Sequence, residues 1–115
     1  IKKNNKINVF NDMYISPILY ENSAEAIVKI LKLKKSGIFH LSGKKNISYA
    51  NFAKGFFKFA NLDKKILNVT EAKKSGLKLY STNKITGLNM KYTQNKLKIK
   101  TIELDEIYSY LTKCI

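Results

Sequence analysis

Apolar residues recur along the chain at two spacings, and the spacings divide it into elements. The segment from Lys6 to Ile15 alternates weakly and is rich in β-formers, so it reads as a strand or extended arm ending at a Ser16-Pro17 turn. Ala24, Ile27, Val28 and Leu31 then follow the i, i+3, i+4, i+7 rule and predict a helix over Asn22–Lys35 with that face inward. Asn22 and Glu25 have capping-box spacing at its start. Lys34, Lys35 and Gly37 supply cations and a left-handed cap at its end. "IFHL" is apolar without alternation, which predicts Gly37 to Ser42 as a central strand covered on both faces. Ser48 caps a second helix, Ser48–Ala60, with Phe52, Phe56 and Phe59 or Ala60 inward. Lys65 to Val69 reads as another short strand, and Thr70 to Gly87 as loop with at most a helical turn. Leu104, Ile107, Tyr108 and Leu111 mark a last amphipathic helix, with Glu103, Asp105 and Glu106 at its positive end. Short strands alternating with helices, without repeats or low-complexity linkers, place the chain in the α/β class.

Length refines this picture: 115 residues with 44% hydrophobic content suffice for one core and not for two domains. No stretch approaches the length of a membrane-spanning helix, and no signal-peptide core follows the basic N-terminus. Cys114 is the only cysteine, which excludes an internal disulfide and a multi-cysteine metal site and fits a reducing cytoplasm.

The net charge of +14 raises the alternative of a lysine-rich nucleic-acid-binding module. Yet all 22 basic residues are lysine, so the bidentate fork that reads guanine or clamps phosphate is missing. The lysines are also spread along the chain, as on a solvated surface. His40, the one histidine, sits in the apolar "IFHL" run and is expected to be a satisfied core imidazole. The five glycines are isolated, so no phosphate-cradling fingerprint is present. Two Tyr-x-x-x-Lys pairs, Tyr80 with Lys84 and Tyr92 with Lys96, would set a phenol beside an ammonium on a helix. Seven tyrosines among so many lysines produce such pairs by coincidence, and no catalytic residue is assigned.

Three stretches together carry a family resemblance: "DMYISPILYENSAEAIVKIL", "GIFHLSGKKNISYANFAKGF" and "LDKKILNV". In order and spacing they resemble the C-terminal part of dTDP-4-dehydrorhamnose reductases, of the extended short-chain dehydrogenase/reductase group. The matching positions are Asp12, Ser16-Pro17, Asn22-Ser23-Ala24, Gly37 to Gly43, Ser48 with Phe52-Ala53, and Ile66 to Val69, with Leu88-Asn89 opening the closing segment. Asn22 and Asn51 stand where the family has acids. Thr82-Asn83 replaces its Arg-Pro, with Lys84 nearby as a point charge.

The resemblance implies the substrate-side portion of a Rossmann-type enzyme, a single domain over residues 1–115 that lacks the dinucleotide-binding half. It implies a dTDP-linked nucleotide-sugar as ligand, contacted by Ser16, Pro17, Tyr20, Lys84, Leu88 and Asn89. NADPH or NADH would be held by a cofactor-binding half in cis or trans, and no cofactor by this chain. An epimerase or dehydratase relative is the alternative within the same fold. The "GIFHLSG" strand would join the far edge of the cofactor sheet, and without that sheet its edge invites self-association.

Overall fold

A computed structural model describes residues 6–78 and 83–115. Four short strands and four helices follow in chain order: β1 Ile7–Phe10, β2 Tyr14–Ile15, α1 Tyr20–Lys32, β3 Ile47–Ser48, α2 Tyr49–Phe59, β4 Leu67–Thr70, α3 Lys91–Leu97 and α4 Leu104–Thr112. Single turns of 3₁₀ helix at Lys64–Ile66 and Ala72–Lys74 flank β4. β1 and β4 pair in parallel, Ile7 opposite Leu67 and Val9 opposite Val69. Asn68 Nδ2 donates across the ladder to Asn8 Oδ1 at 2.8 Å. β2 and β3 pair antiparallel. The α/β class expected from the sequence is therefore observed, with helices flanking a parallel pair.

The core is organised by α2 and α4. Ser48 caps α2 as expected, its hydroxyl accepting from the Asn51 N–H at 3.2 Å. Phe52, Phe56 and Phe59 all meet the Tyr108 ring of α4, at centroid separations of 5.2, 6.1 and 5.9 Å. The ring fits because Gly55 leaves a gap in α2: a Cβ there would lie 2.4 Å from Tyr108 Oη and 3.0 Å from its Cζ. Burial and the nearby Asp105 carboxylate raise the Tyr108 pKa, so the ring stays neutral. α4 keeps its expected inner residues, with Ile107 and Tyr108 buried, and Glu106 Oε1 accepts from the Glu103 N–H at 3.1 Å.

Expectations fail at two places, the Gly37–Ser42 segment and α1, and each failure has a physical reason. Gly37 to Ser42 forms no strand: among the described residues no partner strand lies beside it, and a strand without a ladder leaves its backbone groups unpaired. Ile38 is 81% exposed and His40 is exposed, so the core imidazole is not found. Phe39 meets the Tyr92 ring of α3 at 5.6 Å, and Ser42 at the end of the segment is buried.

α1 begins at Tyr20 with Leu19 as its N-cap, and the Asn22–Glu25 capping box is not formed. Its end falls at Lys32, where Lys34 (φ 48°) takes the left-handed position expected of Gly37. The apolar stripe of α1 also faces outward. Ala26, on the opposite side, is fully buried where α3 packs, while Tyr20, Ile27, Val28 and Leu31 are 71, 55, 46 and 71% exposed. Periodicity identified residues that share a face, and that face is uncovered.

The radius of gyration, 16.8 Å, exceeds the roughly 13 Å of a compact domain of this length. Three of the ten buried apolar residues are alanines, so the core is thin as well.

Replacing an interior helical glycine by alanine ordinarily stabilises by about 1 kcal/mol. Gly55→Ala is expected to do the reverse, because its methyl would displace the Tyr108 ring. Overpacking of this kind costs about 1–3 kcal/mol, measurable as a lower urea midpoint. A raised midpoint would mean that Tyr108 does not sit against α2.

Candidate functional site: the Ser16–Pro17 turn and the Lys84–Gly87 loop

Two backbone contacts seat the Ser16-Pro17 turn. The Gly43 N–H donates to the Ser16 carbonyl at 3.2 Å, just beyond the β2–β3 pairing that also holds the Tyr49 N–H 3.0 Å from the Met13 carbonyl. The chains approach so closely that a Cβ on Gly43 would lie 1.9 Å from the Pro17 carbonyl oxygen. Only glycine allows this approach. Ser42 and Gly43 are buried beneath the turn.

The Lys84–Gly87 loop is fastened to the same place through Asn46. Asn46 Oδ1 accepts from the Thr86 N–H at 3.0 Å and from the Thr86 hydroxyl at 2.8 Å, and Asn46 Nδ2 donates to the Lys84 carbonyl. Thr86 Oγ1 lies 3.1 Å from Ser16 Oγ. Gly87 continues the contact, since a Cβ there would be 3.1 Å from Ser16 Oγ. Lys44 beside this network is paired with Glu103, whereas Lys45 and Lys84 are exposed. The result is an open hydroxyl- and amide-lined corner with positive charge at its rim.

Of the six binding residues expected from the sequence, Ser16, Pro17 and Lys84 are brought together here. Leu88 follows along the same strand of chain and is half-exposed. Asn89 is engaged locally, its Oδ1 accepting from the Lys91 N–H at 3.0 Å at the entry to α3. Tyr20 lies elsewhere, beside the Tyr110 phenol: the Tyr20 hydroxyl first, then burial and the Glu21 carboxylate, push the Tyr110 pKa up to about 12.

Asn46, Thr86 and the close approach at Gly43 carried no separate signal in the sequence. Asn46 and Thr86 are 40 residues apart, and neither belongs to a recurrent motif. Tyr92 and Lys96 do share a helix face, with Lys96 Nζ 5.8 Å from the Tyr92 ring centroid. That is a surface cation–π pair with no third group to make it an acid–base site. Tyr80 and Thr82 lie outside the described residues.

Past the carboxyl ends of β1 and β4, the Asp12 carboxylate accepts from the Ala72 N–H at 2.7 Å and the Lys73 N–H at 3.3 Å. Those hydrogen bonds, the one from Ala72 first, lower the Asp12 pKa. Among the described residues no His, Cys, Asp and Glu cluster could hold a metal ion, and no helix is long and apolar enough to cross a membrane.

The sequence model of the RmlD substrate binding domain family matches residues 1–103. The chain belongs to that family. A crystal structure of dTDP-4-dehydrorhamnose reductase from Bacillus anthracis strain Ames, in complex with NADP, is similar in fold at a TM-score of 0.75 and 20% identity. That likeness takes in 99% of this chain and 40% of the reductase chain. Comparison with curated proteins gives no match. All of α4, with Tyr108, lies beyond the residues that the RmlD family model matches, although it supplies the ring on which α2 rests.

Two outcomes check this geometry. Gly43→Ala should force the turn off its seat, costing about 1–3 kcal/mol and shifting the amide resonances of Ser16 and Thr86; a variant with wild-type stability and spectrum would contradict the contact. For Asp12 the folded-state pKa lies below the ordinary 3.8. Its stabilising contribution is therefore complete above that value and lost as pH falls through the lower folded-state one. Acid unfolding of Asp12→Asn should accordingly be shallower below pH 3.8 than that of the wild type, and parallel curves would contradict the tether.

Proposed function

We propose that this chain is the nucleotide-sugar-binding portion of an NAD(P)-dependent dTDP-4-dehydrorhamnose reductase acting in the cytoplasm, in surface-polysaccharide synthesis. The observation that carries the reading is the joining of the Ser16-Pro17 turn to the Lys84–Gly87 loop in a chain of the RmlD substrate-binding family. Hydroxyl and amide groups suit a sugar, and exposed lysines at the rim suit a diphosphate. Ser16, Pro17 and Lys84 are the principal contacts in this reading, with Leu88 and Asn89 flanking and Tyr20 the most remote.

Hydride transfer requires a nicotinamide held against the substrate carbonyl, and the bound cofactor would supply that chemistry from a separate half. The outward stripe of α1 and the unpaired Gly37–Ser42 segment support such a partner. Covering the exposed parts of Tyr20, Ile27, Val28, Leu31 and Ile38 is worth on the order of 5 kcal/mol. The chain spans 40% of the reductase it resembles, which was solved with NADP, so the occupant we favour is a cofactor-binding half carrying a sheet. Its edge strand would provide the ladder that Gly37 to Ser42 lacks.

Titration with dTDP followed by NMR tests the binding claim. The shifts should concentrate at Ser16, Thr86 and Gly87, with Kd on the order of 1 mM because half a pocket encloses little of the ligand. Shifts scattered over surface lysines and abolished by salt would contradict it. In a kinetic assay the chain alone should show no NAD(P)H oxidation with a 4-keto dTDP-sugar. Activity should appear only with a cofactor-binding half, in cis or as a separate chain. Turnover by the chain alone, or a stable dimer formed through α1 in place of that complex, would overturn the assignment.

A further inference from the structure

We infer that Asn46 is the positioning residue of this corner, and that through Thr86 it fixes the Ser16 hydroxyl as a hydrogen-bond acceptor toward the open side. The orientation of the Asn46 amide is determined by its neighbours. The Lys84 carbonyl can only accept, so it faces Nδ2; the Thr86 N–H can only donate, so it faces Oδ1. A flipped amide would set N–H against N–H and oxygen against oxygen. The Thr86 hydroxyl has one proton, and at 2.8 Å it is given to Asn46 Oδ1. Thr86 Oγ1 is then left with lone pairs for Ser16, 3.1 Å away, so Ser16 must be the donor in that contact.

The polarity of the relay reaches the ligand. With its proton directed at Thr86, Ser16 Oγ meets an incoming group through its lone pairs alone. It can receive a hydroxyl or N–H, and it repels a phosphate oxygen. On the functional reading above, on which this step rests, Ser16 faces a sugar or ribose hydroxyl while the diphosphate belongs to the lysine rim. Asn46 is exposed, so it can be changed without opening a cavity in the core.

Three amide-resolved measurements on the 115-residue chain test the inference. Asn46→Ala removes both arms and should speed hydrogen exchange at the Thr86 amide by roughly 5-fold, leaving the Leu97 amide in the core unchanged. Asn46→Asp keeps the acceptor for Thr86 but sets an oxygen against the Lys84 carbonyl, so Thr86 exchange should fall between that of Asn46→Ala and the wild type. In the wild type, inorganic phosphate should shift Lys84 without shifting Ser16, whereas dTDP-glucose should shift both.

An unchanged Thr86 exchange rate in Asn46→Ala, or a phosphate-induced shift at Ser16, overturns the inference. If dTDP-glucose moves nothing while the exchange and phosphate results hold, the role of Asn46 is supported and the nucleotide-sugar reading is what fails.

Discussion

The Tyr108 ring, lodged over Gly55 between Phe52, Phe56 and Phe59, is the contact on which the rest of the molecule depends. It fixes α2 against α4. α2 in turn begins at Ser48, the last residue of β3, so fixing the helix also fixes the antiparallel β2–β3 pair. From that pair the chain runs straight into the Ser16-Pro17 turn on one side and the Gly43–Asn46 segment on the other. A side chain near the C-terminus thus governs the geometry of a corner built from residues 16, 43, 46 and 84–87. With so few large buried side chains elsewhere, little else could hold the helices in place.

Elements that close upon themselves were legible in the sequence. The cap at Ser48, the phenylalanine spacing of α2 and the acidic entry to α4 are local signals, and the structure realises all three. Elements defined by what lies opposite were not. "IFHL" has the composition of a buried strand, but a strand exists only with a partner, and the described residues offer none. The α1 stripe was correctly grouped and wrongly placed, because a hydrophobic face announces that it needs cover without saying where the cover lies. Asn46 was invisible for a further reason: its three hydrogen bonds reach across about 40 residues to a loop with no pattern of its own.

These two mismatches are of one kind. The face of α1 and, in the "IFHL" run, Ile38 and His40 are positions whose sequence is written for burial and whose structure leaves them exposed. The corner at Ser16 and Thr86, by contrast, is assembled and internally hydrogen-bonded. The domain therefore has the corner loops fixed and a set of apolar positions left open. The Asp12 carboxylate at the ends of β1 and β4 ties the small parallel pair to the turn at Ala72 and Lys73.

Site-resolved hydrogen exchange on the chain at low concentration tests this division most directly. Amides of α2 and α4 should exchange only through global unfolding, and the Thr86 amide should show intermediate protection. Amides from Ile38 to Leu41 should exchange orders of magnitude faster than those of α2. Protection of Ile38 to Leu41 equal to that of α2 would mean that this segment is already paired in the isolated chain, and would contradict the account of an open, unpaired segment.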